Sequence, residues 1–414
     1  MAASCGSALG LLVIAGSPAR ATTLAVDTDY ARATWIGAYG ASPGFSNPLG
    51  VHLSTMRNIV VPHSSGPAAR VRLTNRFGKS PLTINATYLG QSSAGGARLI
   101  SGSNHQVTFN GGGTTVTIPA GTDVVSDPVR LPVKAFQPLA VSLFALTTPA
   151  TTEHFDAHQV SWMSVGDWSS NENGLPFLVP NVLQPFVSGV DVASTRQGRT
   201  IVTLGDSITD GFHSLPMELT TLGANQRYPD FLARRLLAAG HDDVGVVNAG
   251  ISGNQVTRDA SSLGQNVLGY GPSARHRFDR DVLDVPGVSD VIIMEGTNDL
   301  GTDPAQPATA IIAGLTDLVR RGHAAGVRVH LGTIPPRGDV APDRIEILNA
   351  VNDWIRRQHI ADSVIDFHRA LAAPGQPDTL DPAYDSGDKL HPNPAGYAAM
   401  AAAIPLSTVI GQDR

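Results

Sequence analysis

Ser207 stands in the run Thr203-Leu204-Gly205-Asp206-Ser207-Ile208-Thr209-Asp210-Gly211, directly after a short apolar segment. A serine where a strand turns towards a helix sits exposed at the top of a sheet. Its own amide then faces the same space, because helix N-termini leave amides unpaired and favour negative charge. Serine is also a favoured helix cap, so this residue alone leaves both roles open. A hydroxyl needs a base before it attacks a carbonyl, and Gly387-Asp388-Lys389-Leu390-His391-Pro392-Asn393-Pro394 offers His391. Asp388, three positions earlier, can hold the far nitrogen of the imidazole, fix its tautomer and stabilise the imidazolium formed when the serine proton is taken. Pro392 and Pro394 stiffen the chain after the histidine and favour a helix start.

Acyl transfer also requires donors for the oxyanion of a tetrahedral intermediate. Gly253, in Asn248-Ala249-Gly250-Ile251-Ser252-Gly253-Asn254, can present an amide with no side chain in the way. Asn298, in Glu295-Gly296-Thr297-Asn298-Asp299-Leu300, can present its side-chain amide. The Ser207 segment is not a Gly-x-Ser-x-Gly elbow, because the second glycine is missing. Each segment alone is a common loop sequence; their ordered occurrence at successive strand ends carries the information.

The elements that must position these residues follow from the pattern. From Arg199 onward, apolar strands (Thr200 to Leu204, Val244 to Asn248, Val291 to Met294, Val327 to Leu331, Val364 to Phe367) alternate with helical stretches. The helices are Tyr228 to Ala239, Ala308 to Ala325, Arg344 to Gln358 and Pro394 to Ala403. That alternation predicts a five-stranded parallel sheet covered on both faces, with the site beyond the carboxyl ends of its strands. Between residues 30 and 190 the segments are short and alternating, which predicts an all-β sandwich of jelly-roll type. Val71 to Thr74, Leu82 to Tyr88 and Leu139 to Phe144 are predicted strands. Gln106 to Phe109 and Thr115 to Ile118 are predicted to pair as a hairpin around Asn110-Gly111-Gly112-Gly113. The join Ser188 to Thr195 is short and partly apolar, so contact between the two regions is expected.

With 42% hydrophobic and 15% charged residues in 414, and a net charge of −6, the chain is globular and shows no broad basic surface for nucleic acid or an anionic membrane. Ala8 to Ala15 is an apolar run too short to span a bilayer, followed by Ala19-Arg20-Ala21. It reads as a signal peptide over residues 1–21, although Met1 to Ser7 lacks the usual Lys or Arg. Cys5, the single cysteine, falls within it, so a processed chain has no thiol, disulfide or thiolate metal site. His154 and His158 have helical metal-ligand spacing but lie in a β-rich stretch, and are read as surface or loop residues. Asp206 and Asp210 are read as turn and capping groups, and Trp162 and Trp168 as core aromatics.

The four blocks together resemble the SGNH hydrolase superfamily, also called the GDSL esterase and lipase family: Gly-Asp-Ser-Ile, Asn-Ala-Gly-Ile-Ser-Gly, Gly-Thr-Asn-Asp and Asp-Lys-Leu-His-Pro-Asn. Ile208 stands where the name-giving motif has leucine. The resemblance implies that Ser207 is the nucleophile, His391 the base and Asp388 its partner. It implies an oxyanion hole of the Ser207 amide, the Gly253 amide and the Asn298 side chain, and no metal or organic cofactor. Gly271-Pro272-Ser273-Ala274 with Arg277-Phe278-Asp279-Arg280-Asp281 resembles a bacterial, xylan-esterase-like subgroup with an N-terminal β domain. The expectation is a β-sandwich over 30–195 and a flavodoxin-like α/β/α hydrolase domain over 196–414. The expected protein is a secreted or periplasmic esterase acting on a small-molecule or polysaccharide ester, with no nucleic-acid partner and no stable membrane insertion. Lysophospholipase, lipase or acyltransferase chemistry, or a carbohydrate-binding protein with a vestigial hydrolase, are the alternatives.

Overall fold

The computed structural model describes residues 30, 33–194, 196–212, 222–261, 270–302 and 304–410. The signal-peptide reading of residues 1–21 lies outside them. Two sheets dominate the N-terminal region. The first has four strands in the order Thr34–Gly40, Val187–Ser194, Ala69–Thr74, Asp123–Val125. The second has six, with Val51–Val60 and Leu139–Thr148 at its centre. Alternation decides how they meet: Ile36, Val71, Val190 and Val192 from one sheet and Met56, Leu89, Val141 and Leu143 from the other enter a single core. A small third sheet places Thr151–His154 between Gln184–Pro185 and Phe45–Asn47.

Three sequence expectations change here. Leu82 to Tyr88 is not one strand, because the chain switches sheets at Asn85. Leu82–Ile84 pairs with Val116–Ile118, and Ala86–Gln91 pairs with Leu139–Thr148. The predicted hairpin is therefore absent as a ladder, and only a Phe109–Gly113 bridge closes the turn. The turn has positive dihedrals from Asn110 to Gly112 and is held by the Asp127 carboxylate, which accepts from the Gly111 and Gly112 amides. Ser188 to Ser194 is not a join but part of a buried strand, paired on both sides.

After this β region comes a five-stranded parallel sheet: Arg199–Gly205, Val244–Gly250, Val288–Met294, Arg328–Gly332 and Ser363–Ile365, numbered here first to fifth. Their spatial order is second, first, third, fourth, fifth. The reversal beside the first strand opens a crevice at the carboxyl ends. Side chains alternate between two buried faces. Val202, Leu204, Val247, Val291 and Leu331 pack with Ile311, Leu315 and Leu318 of helix Ala308–Ala324 and with Leu348, Val351 and Ile355 of helix Pro342–Arg357. Ile201, Val246, Ile292 and Met294 pack with Leu232 and Leu236 of helix Tyr228–Ala238 and with Tyr397 and Met400 of helix Pro394–Ala402. The i, i+3, i+4 spacing on these helices makes that burial possible. Phe367, predicted as strand, opens a short helix capped by Asp366. No described helix is long and apolar enough to cross a membrane.

The second strand is a sheet edge, and the β region covers it. His63 Nδ1 bonds the Val246 carbonyl at 2.9 Å and Nε2 the Asp230 carboxylate at 2.8 Å, while Ser64 reaches the Val244 carbonyl. Pairing of this kind blunts an exposed edge. Strand Thr34–Gly40 also packs so closely on the sheet that a Cβ on Gly245 would lie 2.1 Å from the Gly37 carbonyl oxygen. Gly245→Ala is therefore expected to destabilise the whole chain by about 1–3 kcal/mol through overpacking against backbone. Urea denaturation measures this, and an unchanged midpoint would show that the contact is not tight.

Candidate active site

The first strand ends at Gly205, and a four-residue helix, Ser207–Asp210, follows at once. Its N-cap is Asp206, whose carboxylate accepts from the Ile208 amide at 2.9 Å. The capping role left open for Ser207 thus belongs to Asp206, as expected for a turn group, and the serine hydroxyl is left for other work. Ser207 Oγ donates to His391 Nε2 at 2.9 Å. His391 Nδ1–H faces Asp388 Oδ2 at 2.6 Å, which fixes the tautomer with Nε2 as acceptor. The second Asp388 oxygen accepts from the His391 and Leu390 amides at 2.8 and 2.9 Å. Burial pushes the Asp388 carboxyl up, but these bonds from His391 outweigh it and hold the group down at about 2. Asn393 caps helix Pro394–Ala402 just beyond, accepting from the Ala395 and Gly396 amides. That anchors the histidine loop at its far end. The Phe212 ring lies against the imidazole at 4.8 Å.

The other predicted residues meet at the same place. Gly253 has φ +76°, and Tyr270 lies against it so closely that a Cβ would come within 2.2 Å of the ring. Asn298 uses one amide hydrogen on the Asn254 carbonyl at 2.9 Å, which leaves the second for the pocket. The loops carrying these two residues are tied together by Asp299, which accepts from the Val256 and Thr257 amides and the Thr257 hydroxyl. Ser207, Gly253, Asn298 and His391 line one cavity of about 310 Å³ with Phe155, Phe212, Ser252, Tyr270 and Leu390. Among the described lining residues there is no carboxylate, lysine or arginine. Phe155 comes from the β region. Trp162 and Trp168 are absent from this wall; Trp162 is half-buried against Ile59, Leu99 and Ala140, and Trp168 is exposed, so neither is fully core.

Sequence reasoning missed the supports beneath the site. Arg277, noted only as part of a subgroup signature, is completely buried and donates to the Gly205 carbonyl at 2.8 Å, the Ala249 carbonyl at 2.7 Å and Asn254 Oδ1 at 2.9 Å. Glu295, at the end of the third strand, lies 3.5 Å from Arg277 and has no hydrogen-bond partner on either oxygen among the described residues. Burial, reinforced by the nearby Asp206 carboxyl, raises its proton affinity well above the usual carboxylate range. His154, read as a surface or loop residue, is instead buried with Nε2 at 3.1 Å from Asp210. The two residues lie far apart in sequence, and only the three-dimensional fold joins them.

A parallel sheet that presents a hydrogen-bonded serine, histidine and aspartate at its carboxyl ends has the make-up of a hydrolase. Residues 203–399 match the model of the GDSL-like lipase/acylhydrolase family, so this part of the chain is similar to GDSL/SGNH hydrolases, a class of general esterase-type enzymes. Among solved structures it is similar to the lipase/acylhydrolase from Enterococcus faecalis, at 24% identity over 50% of this chain and 92% of that one, with a TM-score of 0.37. A GDSL-like lipase from Bacteroides thetaiotaomicron is 20% identical over 52% of this chain and 89% of that one, with a TM-score of 0.34. An acetyl xylan esterase variant from Geobacillus stearothermophilus is 25% identical over 52% of this chain and 95% of that one, with a TM-score of 0.35. No curated protein matches the chain.

The raised Glu295 carboxyl has a consequence for stability. A carboxyl that binds its proton more tightly when folded stabilises the protein below the unfolded-state value, and that contribution is lost as pH rises towards the folded one. Glu295→Gln keeps the shape of the neutral acid, so its melting temperature relative to the parent is expected to rise from pH 5 to pH 8. A difference that is flat with pH, or that falls, would show that Glu295 is ionised in the folded protein.

Proposed function

We propose that this protein is a serine esterase that hydrolyses neutral carboxylic esters with short acyl groups through an acyl-enzyme. The observation that carries the proposal is the Ser207–His391–Asp388 relay opening into a small cavity walled by Phe155, Phe212, Tyr270 and Leu390. In this scheme Ser207 Oγ attacks the ester carbonyl carbon as His391 Nε2 takes its proton. The Ser207 and Gly253 amides and the free Asn298 amide hydrogen bind the oxyanion. Asp388, ionised throughout, stabilises the imidazolium. Collapse breaks the ester C–O bond, and His391 returns the proton to the leaving alkoxide. Water then attacks the acyl-serine with His391 again as base, releasing the acid and restoring Ser207.

An uncharged wall suits an uncharged acyl group, and the size of the cavity suits a short one. Acetyl groups on polysaccharide are the substrate class favoured by the subgroup-like residues 271–281. The leader-like residues 1–21 support a secreted or periplasmic location, where such polymers are met. The β-sandwich over 30–195 and the hydrolase domain over 196–414 would then act as one body, since Phe155 forms part of the acyl wall.

A panel of p-nitrophenyl esters from acetate upward, with acetylated xylan, tests this reading. Acetate and butyrate esters are expected to be turned over fastest, and Ser207→Ala is expected to lose about three orders of magnitude or more in kcat. Faster turnover of long-chain esters would overturn the short-acyl assignment, and a Ser207→Ala protein with a tenth of parental turnover would overturn the nucleophile.

A further inference from the structure

The small sheet of the β region ends in His154, and the ring of this histidine meets only acceptors. Nδ1 lies 2.8 Å from the Ser42 carbonyl, and Nε2 lies 3.0 Å from the Asp156 carbonyl and 3.1 Å from Asp210 Oδ1. A neutral imidazole has one nitrogen without hydrogen, and in this setting that lone pair would point at an oxygen lone pair. Both nitrogens must therefore carry hydrogen, so the ring is an imidazolium. His154 and Asp210 are both almost completely buried, where a charge persists only if it is paired.

Asp210 is the last residue of the turn helix that begins with Ser207. Its other oxygen accepts from the Ser252 hydroxyl at 3.1 Å, and Ser252 immediately precedes Gly253. The same turn is bonded to the second strand through Asn248 Nδ2, which donates to the Thr209 carbonyl at 2.8 Å. One carboxylate thus joins the nucleophile turn to the oxyanion loop, and its counter-charge comes from a different region of the chain. The residue after His154, Phe155, lines the acyl cavity and packs edge-on against Phe45.

We propose that His154 is a positioning residue of the catalytic centre, holding the Ser207 turn and the Gly253 loop in register through Asp210. The proposal rests on the esterase reading given above. It makes the β region part of the catalytic apparatus rather than an appended module. The cation, and not the ring alone, does the holding. The charged and titratable groups around the pair are Asp156 on its own segment, His158 beyond it, Arg227 from the start of helix Tyr228–Ala238, Tyr39 from strand Thr34–Gly40 and Tyr397 from helix Pro394–Ala402. Burial disfavours the His154 cation, but Asp210 and the Ser42 carbonyl outweigh it, so the proton is held more tightly than in a free histidine. Burial likewise opposes the Asp210 charge, and His154 restores it. Loss of the His154 proton at alkaline pH should then loosen the oxyanion loop with no change at His391.

The test uses the full chain and p-nitrophenyl acetate, comparing His154→Gln, Asp210→Asn and the double variant with the parent. Misplacing the loop while leaving the pocket wall in place should lower kcat about 10- to 100-fold and change KM less than about threefold. The double variant should be no worse than the worse single one, because the two residues act as a pair. The parent should show an alkaline fall in kcat that His154→Gln lacks. Additive losses in the double variant, or a parental kcat and pH profile in His154→Gln, would overturn the proposal. The parental pH profile is informative even where a variant folds poorly: a kcat that stays level to the alkaline limit of stability would equally overturn it. A Ser207→Ala protein assayed alongside separates the two ideas, since activity in that variant would sink the esterase reading itself, whatever His154 does.

Discussion

Arg277 puts a guanidinium where water does not reach and spends its donors on the framework of the site. It takes the carbonyl of Gly205 from the end of the first strand, that of Ala249 from the second, the Asn254 side chain from the loop that carries Gly253 and the Asp281 carboxylate from the turn after its own helix. Glu295, at the end of the third strand, stands 3.5 Å away. A planar fork with five N–H groups suits this task, and a lysine ammonium has neither the geometry nor the reach. Breaking a buried charge network by removing one partner typically costs about 3–5 kcal/mol, so this cluster is strongly coupled to the fold. Its importance for chemistry is geometric. The ends of the first two strands and the Asn254 side chain are bonded to one rigid group, and in the proposed scheme an oxyanion hole works only if its donors are in place before the charge develops.

Around that clip the site is assembled by interlocking polar contacts rather than by apolar packing. Asn298 is aimed by the Asn254 carbonyl, while Asn254 is itself held by Arg277 and by the carbonyls of Tyr270 and Pro272. Arg337, buried and paired with Asp339, donates to the Thr297 carbonyl beside Asn298. The β region enters from the other side, sealing the sheet edge through His63 and Ser64, reaching the pocket through Phe155 and meeting Asp210 through His154. Most of these buried charged groups are paired with one another, while Glu295 stands without a hydrogen-bond partner among the described residues.

The parallel sheet and its helices were legible because their signals are local. Apolar runs of strand length, amphipathic spacing and capping residues lie within a few positions of one another, and the observed bounds of helix Tyr228–Ala238 differ from expectation by one residue. The four motif blocks were legible for the same reason, since three are strand ends followed by their own turns and the fourth lies just before a capped helix. Asp388 and His391 needed only three residues of chain to meet. The β region was harder, because pairing there is decided over long separations: Leu82–Ile84 finds Val116–Ile118, and local alternation cannot show that Asn85 is where the chain changes sheets. His154 was misjudged because spacing to His158 was the only local clue, whereas its partner Asp210 comes from another region. Arg277 carried no local signal of function at all; its meaning lies in carbonyls contributed by two different strands.

The central claim is that Ser207 is the one activated nucleophile, made so by His391 and Asp388. Labelling the native protein with a fluorophosphonate, followed by peptide mass spectrometry, tests it most directly, because only a serine whose proton a neighbouring base takes as it attacks displaces fluoride at an appreciable rate. The account predicts a single adduct on the peptide containing Ser207, lost on denaturation before labelling and absent from a His391→Ala protein. An adduct on a different residue, or a native protein that stays unlabelled while still hydrolysing ester, would contradict it.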